Sequence, residues 1–430
     1  MSKLDVAPAS NAPRSQRIRV LIISHAYLEP ENVKTLLALQ NHVDVRVLAP
    51  RRLPVPRQLK GLLFKNLDSS LVQSQYPSTL ITSCRALYRP GSPHIAQYAL
   101  ASLSFGLRRQ RPDIIHVDLP PWSPVFWQAS LARKLFAPSA RILVSAKKNT
   151  YRRHPGVIGG AKAFIAHAGA RRADLVVAAS RMAEELYLRE FQLPRGQVET
   201  AHLLGVDGRR FRPAIAATTR GPCVVGYCGR TELEKGVLDL VQAVARCRAE
   251  GSNVQLQLAG SGTLDGQLNA IAEQRPWLSF HGALAMDDVP DFLRTLDIFV
   301  LPSRITPDHE EHDAHALREA LASGVASIGT RSGVIPDLLS DGTGLMVEAN
   351  DPERLALAIE RLVGAPALRE DFARKALEKA RRELLCEPVA ALLAKMYMRT
   401  AGCCAPEAGS DLMTDEPSQD RPGALSRLPD

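Results

Sequence analysis

Hydrophobic and polar positions alternate along the chain in two long series. Each series repeats a short run of aliphatic, mostly β-branched residues followed by a longer segment with helical periodicity, which predicts parallel strands covered by helices. The predicted strands span 19–23, 43–48, 113–117, 141–145 and 174–178 in the first series, and 223–228, 254–259, 278–281, 297–301, 325–328 and 345–347 in the second. The pattern therefore predicts an α/β protein with two doubly wound domains in tandem.

The alternation stops between about Gly205 and Gly221, where prolines and threonines are typical of a linker. Polar, aperiodic sequence at both ends predicts disordered tails. The predicted division is a tail at 1–16, a first domain at 17–210, a second domain at 211–385, a final helix at 386–400 that could pack back on the first domain, and a tail at 401–430. Doubly wound sheets bind ligands at the carboxyl ends of their strands, so two facing domains predict a site in the cleft between them.

The segment Gly229-Arg-Thr-Glu-Leu-Glu-Lys-Gly236 follows a predicted strand and opens a predicted helix. Its two cations, Arg230 and Lys235, therefore lie at a strand end beside a helix N-terminus. A guanidinium, an ammonium and free backbone N–H groups together suit a diphosphate. The alternative is a solvated helix start without a ligand.

A second turn of this kind, Ala259-Gly-Ser-Gly262, also leads from a strand to a helix. Glycine at positions 260 and 262 lets a ligand approach the backbone closely. A single G-x-G is a weak signal, however, and a tight turn without a ligand is the simpler alternative.

Two glutamates, Glu311 and Glu319, are separated by seven residues after the strand that ends at 301. If a helix begins near Asp313 or Ala314, Glu319 lies on it and Glu311 lies in the preceding loop. The helix N-terminus can then bind a phosphate, with one carboxylate on each side for hydroxyl groups. A helix with ordinary surface acids is the alternative.

The same segment is rich in side chains that bind metals. Residues 308–315 read DHEEHDAH, and imidazole and carboxylate ligands suit zinc or a related ion. The order of the residues is not that of an H-E-x-x-H zinc motif. We therefore predict no metal site, and leave open whether this histidine-rich loop binds an ion.

The motifs occur in an order that resembles a known enzyme family. The second half carries G-R-x3-E-K-G, A-G-S-G, L-P-S, E-x7-E-A, S-G-V and G-V-I-P-D-L-L-S-D-G-T-G-L-M-V, and the first half ends in A-D-L-V-V-A-A-S and G-V-D with F-R-P. Together they resemble the retaining GT-B glycosyltransferases of the E-x7-E group (family 4, group 1). The resemblance runs from about Arg19 to Val363 and implies the GT-B fold, with two Rossmann-like domains facing a cleft.

The resemblance implies a role for each motif. Arg230 and Lys235 would bind the diphosphate of the donor and stabilise its leaving charge, a task for cations rather than for a strong acid. Glu311 would contact the donor sugar near its anomeric carbon, and Glu319 would bind the ribose hydroxyls. The other candidate substrate contacts are Gly260, Gly262 and the backbone of His315, Ala316 and Leu317. The resemblance further implies retention of the anomeric configuration, no metal, and no cofactor besides the nucleotide-sugar co-substrate.

The acceptor side departs from the family pattern. The Gly-Gly loop of many relatives is replaced by SHAYLEP at 24–30, and their H-x-H by H-V-D at 116–118. E-H-D-A-H replaces the usual E-G-F-G, which could alter the choice of sugar or make His315 a phosphate contact. The candidate acceptor contacts at strand ends are His25, His116 and Asn149. Structural hydrogen bonding is the alternative for all three.

The distribution of charge bears on the partners. The net charge is +9, but residues 1–210 hold 31 Lys and Arg against 13 Asp and Glu, a net +18, and the remainder carries −9. Cations are mixed with large apolar residues at 51–65 and follow a strand end at 147–153, which suits an anionic membrane surface or a phosphate-bearing acceptor. A solvated basic face is the alternative. The sequence has no nucleic-acid recognition motif, so we expect no nucleic-acid partner.

Targeting signals and cysteines bear on localisation. The first 20 residues lack the apolar core of a signal peptide, and no uncharged stretch reaches the roughly 20 apolar residues of a membrane span. Seven scattered cysteines without a C-x-x-C pair indicate reduced thiols. We therefore expect a cytoplasmic protein that could associate peripherally with the inner face of the plasma membrane.

These observations predict a glycosyltransferase that moves a sugar from a nucleotide-sugar donor to a glycan or lipid-linked acceptor in cell-surface polysaccharide synthesis. Two other hypotheses stay open: a GT-B epimerase or phosphorylase, and a catalytically silent GT-B scaffold that binds a partner or a membrane. Phosphorylases usually need a lysine-bound pyridoxal phosphate and a much longer chain. The presence of both glutamates and both cations favours an active enzyme over a scaffold.

Overall fold

The computed structural model contains two parallel β-sheets, each packed against helices. The described residues are 17–51, 80–84, 86–89, 92–98, 100–147, 156–214, 221–307 and 309–403. The prediction of two doubly wound α/β domains is confirmed. The predicted tails, apart from residues 401–403, and the basic segment after Arg51 lie outside the described residues.

The N-terminal sheet has seven parallel strands in the order β3-β2-β1-β6-β7-β8-β9. Its strands are β1 (Arg19–Ile23), β2 (Asp44–Pro50), β3 (Ile81–Cys84), β6 (Ile114–Val117), β7 (Arg141–Ala146), β8 (Leu175–Ala178) and β9 (Val198–Thr200). A separate antiparallel hairpin is formed by β4 (Ala86–Arg89) and β5 (Ser92–Tyr98). Strands β6 and β8 are buried along their whole length, because helices cover both faces of this sheet.

The C-terminal sheet has six parallel strands in the order β12-β11-β10-β13-β14-β15. Its strands are β10 (Cys223–Cys228), β11 (Val254–Ala259), β12 (Leu278–Phe280), β13 (Ile298–Leu301), β14 (Ala326–Thr330) and β15 (Gly344–Val347). The chain order reverses between β10 and β13, which places the crevice for a ligand at the carboxyl ends of these two strands.

The described helices are α1 (Pro30–Leu39), α2 (Leu100–Gln110), α3 (Pro124–Phe136), α4 (Gly156–Arg172), α5 (Arg181–Arg189), α6 (Val237–Ala249), α7 (Asp265–Gln274), α8 (Val289–Arg294), α9 (His315–Ala322), α10 (Ile335–Leu339), α11 (Pro352–Val363), α12 (Pro366–Lys379) and α13 (Cys386–Thr400). Local sequence defines several of their starts. Ser123, Ser180 and Asp351 precede α3, α5 and α11, and each side chain accepts a hydrogen bond from a backbone N–H of the first turn.

The last helix, α13, returns to the N-terminal domain. Its apolar face packs into the same hydrophobic cluster as α1, β1 and β2. Thr35 Oγ1 lies 3.6 Å from Cys386 Sγ, and the Tyr397 hydroxyl lies 2.7 Å from His116 Nδ1. Val206 and Leu385 form a parallel bridge where the chain crosses between the domains. The chain therefore crosses between the domains twice: it leaves the N-terminal domain near Val206 and returns to it near Leu385.

The sequence pattern missed both edge strands of the N-terminal sheet, whereas it predicted β12 and β15 at the edges of the C-terminal sheet. Strand β3 mixes polar and apolar residues, and β9 has three residues, so neither gives a clear run of aliphatic residues. The hairpin formed by β4 and β5 was missed as well. Edge strands need fewer apolar side chains because a neighbour covers them on one side only.

Candidate active site

Residues from the loops after β10 and β13 meet at the carboxyl edge of the C-terminal sheet. Lys235 Nζ lies 2.6 Å from Glu311 Oε2, and the Ser303 hydroxyl donates to the same oxygen at 2.6 Å. We call Lys235, Ser303 and Glu311 the C-terminal triad. The Lys235 and Glu311 side chains are 13% and 7% exposed, so this ion pair is largely withdrawn from solvent.

The backbone around Gly236 explains the position of Lys235. Gly236 has a φ of +69°, and a Cβ there would lie 1.9 Å from the carbonyl oxygen of Pro302. This position therefore requires glycine. The backbone N–H of Arg304 donates to the Glu234 carbonyl at 2.9 Å. The loop after β10 is thus held against the loop after β13.

The surroundings of Glu311 keep its carboxylate ionised. Burial by itself would raise the pKa of Glu311, but the Lys235 ammonium and the Ser303 hydroxyl lower it below the usual value. The Glu311 backbone N–H donates to Ser332 Oγ at 3.2 Å, which holds the loop in place. The C-terminal triad therefore presents one fixed negative charge beside one fixed positive charge.

Helix α9 begins at His315, close to the start that the sequence predicts. Glu319 lies on the helix and Glu311 lies in the loop before it. The residue before the helix, Ala314, has φ 44° and ψ 42°. This left-handed conformation costs a residue with a Cβ roughly 1–2 kcal/mol, so backbone strain is stored at the start of α9.

The first turn of α9 combines backbone and side-chain groups. The Leu317 N–H donates to the Ala314 carbonyl at 3.1 Å; Ala316, between them in the turn, is partly exposed. His315 Nε2 lies 3.3 Å from Glu319 Oε1. Burial lowers the pKa of His315, but the Glu319 carboxylate outweighs this effect and raises it overall.

Arg230 lies at the same edge of the sheet but is more exposed. Its Nη2 lies 3.7 Å from Glu234 Oε1, and its side chain is 49% exposed. The Tyr227 hydroxyl donates to the Arg230 carbonyl at 2.6 Å, so the backbone is fixed while the guanidinium reaches toward solvent. Arg230 and Lys235 both contribute to the electrostatic environment of His309, which places these cations in one region.

Gly260 and Gly262 are required by the chain's own backbone. A Cβ at Gly260 would lie 1.7 Å from the carbonyl oxygen of Gly229, and one at Gly262 would lie 2.6 Å from that of Thr231. The close approach predicted for a ligand is made by the loop after β10. This contact accounts for both glycines, and it packs the two loops of the C-terminal edge together.

The histidine-rich loop lies beside the C-terminal triad. Within the described residues, no group of three or more His, Cys, Asp or Glu side chains is placed to hold a metal ion, and Asp308 falls outside them. The rings of His309 and His312 are 6.2 Å apart between centroids. Burial and the Lys235 charge lower the pKa of His309, which favours the neutral form of its imidazole beside the cation.

The carboxyl edge of the N-terminal sheet carries a second triad, which the sequence analysis missed as a cluster. The Ser24 hydroxyl donates to Asp118 Oδ2 at 2.7 Å, and Lys147 Nζ lies 3.0 Å from both carboxylate oxygens. We call Ser24, Asp118 and Lys147 the N-terminal triad. Each of them directly follows β1, β6 or β7, which are neighbours in the sheet. Polar residues just after adjacent strands were the signal that could have found them.

The charges near Glu29 come from the carboxyl edges of both sheets. Burial raises the pKa of Glu29, while the positive charges of His315 and Lys147 act in the opposite direction. His315 belongs to the C-terminal domain and Lys147 to the N-terminal domain, so Glu29 lies within electrostatic range of both. The carboxyl edges of the two sheets therefore face one cleft.

The three candidates for acceptor contacts lie in different settings. His116 is 3% exposed, and its nitrogens lie 2.7 Å from the Tyr397 hydroxyl and 3.0 Å from Ser145 Oγ. Structural hydrogen bonding, the alternative reading of His116, thus accounts for both nitrogens. His25 precedes the short turn Ala26–Leu28 and is partly exposed. Asn149 lies outside the described residues.

Family comparisons cover both domains. Residues 33–203 match the family described as glycosyl transferase 4-like domain, and residues 211–379 match glycosyl transferases group 1. The glycogen synthase of Mycobacterium tuberculosis is 26% identical over 299 residues, which are 68% of this chain and 70% of that protein. A capsular polysaccharide biosynthesis glycosyltransferase of Staphylococcus aureus is 27% identical over 179 residues, 40% of this chain and 45% of that protein.

Solved structures show the same fold. The crystal structure of an Anabaena protein, HepE, in complex with UDP has a TM-score of 0.65 at 16% identity, covering 89% of this chain and 100% of that one. The two facing parallel sheets, the order of their strands and the family matches agree with one another. The chain has the GT-B fold and belongs to the group 1, family 4 glycosyltransferases.

Proposed function

We propose that this glycosyltransferase is a retaining, metal-independent enzyme that transfers a sugar from a nucleotide-sugar donor to a glycan or lipid-linked acceptor in cell-surface polysaccharide synthesis. The observation that carries the proposal is the C-terminal triad, with its buried Lys235–Glu311 pair 2.6 Å apart beside the start of α9. In one cleft, the cation and the helix N-terminus suit the diphosphate of a nucleoside diphosphate sugar, and the carboxylate can accept hydrogen bonds from its hydroxyl groups.

Each group has a separate task in this proposal. Lys235 and Arg230 neutralise the charge that develops on the departing diphosphate, which is where preorganised cations lower a transition-state barrier most. The N–H groups at the start of α9 bind phosphate oxygens. Glu311 lies beside the sugar and Glu319 accepts the ribose hydroxyls. On donor binding, the Lys235 ammonium exchanges part of its contact with Glu311 for contact with phosphate oxygens.

The relatives support the proposal for the donor and the pathway. The Anabaena structure of the same fold contains UDP, and the Staphylococcus aureus relative acts in capsular polysaccharide biosynthesis. The experiments below identify the base and the sugar of the donor.

A panel of UDP-, GDP- and ADP-sugars tests the donor proposal. We expect one nucleotide to bind in the micromolar range without added metal, and slow hydrolysis of its sugar nucleotide to retain the anomeric configuration, as followed by NMR. Binding of none of them would refute the transferase proposal. Binding without hydrolysis or transfer would favour the scaffold hypothesis, and interconversion of two nucleotide sugars would favour an epimerase.

The acceptor part of the proposal rests on the outer helices of the N-terminal domain. Helices α2, α3 and α4 pack on one face of its sheet and leave large apolar side chains exposed. They are Phe105, Leu131, Leu135, Val157, Phe164 and Ile165. Exposed cations lie among them, including Arg109, whose guanidinium is 6.0 Å from the centre of the Phe105 ring, and Lys162 on α4. We call this surface the α2–α4 face.

Apolar side chains mixed with cations suit the surface of an anionic bilayer. No helix within the described ranges is long and apolar enough to cross a membrane. We therefore propose that the α2–α4 face rests on an anionic membrane and brings a lipid-linked acceptor to the cleft. The surplus of positive charge in residues 1–210 adds to this attraction.

Liposome pelleting tests the membrane part separately. We expect binding to vesicles with 30% anionic phosphatidylglycerol, and loss of this binding with neutral vesicles or in high salt, because the Debye length falls to about 3 Å at 1 M salt. Phe164→Ser should weaken pelleting several-fold. Leu357→Ser, at an exposed apolar position of the C-terminal domain, is the matched control and should leave it unchanged. Equal pelleting with neutral and anionic vesicles would contradict this part.

A further inference from the structure

The His315 side chain links the buried Glu319 to a second buried residue, Arg318. His315 Nε2 lies 3.3 Å from Glu319 Oε1, and His315 Nδ1 lies 3.1 Å from Arg318 Nη2. The family resemblance gives the backbone of His315 a role, whereas these contacts belong to its imidazole ring.

The contact with Arg318 determines which ring nitrogen carries the proton. A guanidinium can only donate hydrogen bonds, so Nδ1 of the neutral imidazole must accept from Arg318. The hydrogen of the neutral ring is then on Nε2, the nitrogen that lies 3.3 Å from Glu319 Oε1. A protonated imidazole also carries a hydrogen on Nε2. The donor to Glu319 is therefore present in both protonation states.

Arg318 is itself held firmly. It is 2% exposed, its Nη1 donates to the Leu204 carbonyl of the N-terminal domain at 2.7 Å, and its Nη2 also pairs with Asp313. The guanidinium cannot rotate without losing these bonds. In the neutral ring, the orientation of His315 is thus fixed from behind by a residue that contacts both domains.

Glu319 benefits from this arrangement because it is almost completely buried, at 5% exposure. With Oε1 engaged by the ring, rotation of the carboxylate about its last bond is restricted. A carboxylate that accepts hydrogen bonds from two vicinal hydroxyl groups binds more tightly if it is oriented before the ligand arrives. Otherwise its conformational entropy is lost on binding, which weakens the affinity.

We propose that His315 is a positioning residue of the nucleotide site, which orients the Glu319 carboxylate for the ribose hydroxyls through its Nε2–H. The inference rests on the proposed function, because it takes the ligand of Glu319 to be a ribose. It assigns the imidazole to recognition of the sugar of the nucleotide, and it leaves the diphosphate to Lys235, Arg230 and the backbone of α9.

The test compares protein variants with ligands that lack the ribose hydroxyls. His315→Gln places an amide N–H near the position of Nε2, whereas His315→Leu has a similar volume and no donor. The probes are the tightest-binding of UDP, GDP and ADP, its 2′,3′-dideoxy analogue, and inorganic pyrophosphate, with dissociation constants from calorimetry.

We expect His315→Leu to raise the dissociation constant of the ribonucleotide about tenfold, and His315→Gln to change it less than about threefold, in keeping with the loss of one hydrogen bond to a charged group. The constants for the dideoxy analogue and pyrophosphate should change less than twofold in both variants. In donor hydrolysis, His315→Leu should raise KM by a similar factor and change kcat less than twofold.

Equal weakening of the ribonucleotide and the dideoxy analogue in His315→Leu would overturn the inference, since the ring would then support the whole pocket. An unchanged ribonucleotide constant would also overturn it. If the wild-type protein binds no nucleotide, the proposed function fails first and the inference fails with it. Should His315→Leu fold poorly by thermal melting, His315→Asn replaces it, because its shorter amide does not reach Glu319 and the same loss is expected.

Discussion

At the carboxyl edge of each sheet, a lysine and a serine hold one carboxylate, but the two triads differ in burial. In the C-terminal triad the Lys235 side chain is 13% exposed. In the N-terminal triad the Lys147 side chain is 42% exposed. The two carboxylates are equally buried, because the Glu311 and Asp118 side chains are both 7% exposed. An ion pair with both members buried is costly to break because it leaves an uncompensated charge, whereas solvent partly screens a pair with one exposed member.

The difference in burial suggests a division of tasks. The C-terminal triad is closed by the tight contact of Gly236 with Pro302, so its charges are preorganised and stay in place without a ligand. The N-terminal triad leaves its lysine side chain 42% exposed, so in the proposed function this charge stays available to an acceptor. Preorganised charge favours chemistry on one fixed group, and accessible charge favours exchange of partners.

The largest effect on turnover and on stability should come from removing the lysine of the C-terminal triad. We expect Lys235→Ala to lower the kcat of donor hydrolysis about 10²–10³-fold, the usual cost of losing a charge stabiliser at the reacting group. It should also destabilise the domain by about 3 kcal/mol, since Glu311 stays buried and unpaired. Steady-state kinetics and denaturant unfolding measure the two effects.

Two further variants sharpen this comparison. Lys147→Ala should cost less stability than the roughly 3 kcal/mol of Lys235→Ala, because solvent screens the exposed side of this pair even though Asp118 is buried. It should leave nucleotide affinity within twofold. The double variant Lys235→Met with Glu311→Gln removes both charges, so it should recover most of the lost stability and none of the turnover. If Lys147→Ala weakens nucleotide binding as much as Lys235→Ala does, the division of tasks between the two edges is wrong.

A smaller effect, on the pH dependence of stability, is expected from His116, which lies on β6 two residues before Asp118. Burial lowers the pKa of His116 to about 4, with the Lys147 charge acting in the same direction against Asp118. The unfolded chain, with an ordinary histidine pKa near 6.5, takes up the proton first. Stability should therefore be intact above pH 6.5 and fall by about 3 kcal/mol as the pH drops to about 4.

Urea unfolding between pH 7 and pH 4 measures this slope. His116→Gln cannot take up the proton, so its free energy of unfolding should depend less on pH over this interval. This holds even if the altered hydrogen bonds lower its stability at every pH. His42→Gln, at an exposed position, is the matched control and should keep the wild-type slope. An identical slope in all three proteins would show that His116 is not the group responsible.

The smallest effect concerns the start of α9 at the C-terminal edge. Ala314→Gly removes the left-handed strain of φ 44° and should stabilise the protein by about 0.5–1 kcal/mol, after the greater chain entropy of glycine is subtracted. Ala316→Gly, in right-handed helix two residues later, should destabilise it by about 0.5–1 kcal/mol. Thermal melting distinguishes the opposite signs. Two losses of equal size would mean that Ala314 is not strained.

The sequence predicted the central strands of both sheets and the edge strands of the C-terminal sheet, but it missed the edge strands of the N-terminal sheet. Strands β1, β10 and β11 begin and end at the predicted residues, because a buried parallel strand needs a continuous aliphatic run. The Lys235–Glu311 part of the site was also predictable, since both residues belong to motifs of fixed spacing. Ser303 was visible only as part of L-P-S, and its hydrogen bond to Glu311 depends on how the loop between β13 and α9 folds back on itself.

The N-terminal triad could not be read from spacing. Ser24 and Asp118 are 94 residues apart in the chain, and they meet only because β1 and β6 are neighbours in the sheet. His116 illustrates the opposite case: its type and position at a strand end suggested a ligand contact, and the structure places Tyr397 of α13 against it. A return of the last helix to the first domain brings in a partner 281 residues away.

The sequence alone determined the two doubly wound domains, the family and the motifs at the C-terminal edge, because these depend on local periodicity and on residues close together in the chain. Only the tertiary structure decided which groups share a carboxylate, how far each lysine is buried, and that Arg318 directs the His315 ring at Glu319. Those properties depend on contacts between distant segments, whose energies are set by burial and hydrogen-bond geometry and leave no pattern along the chain.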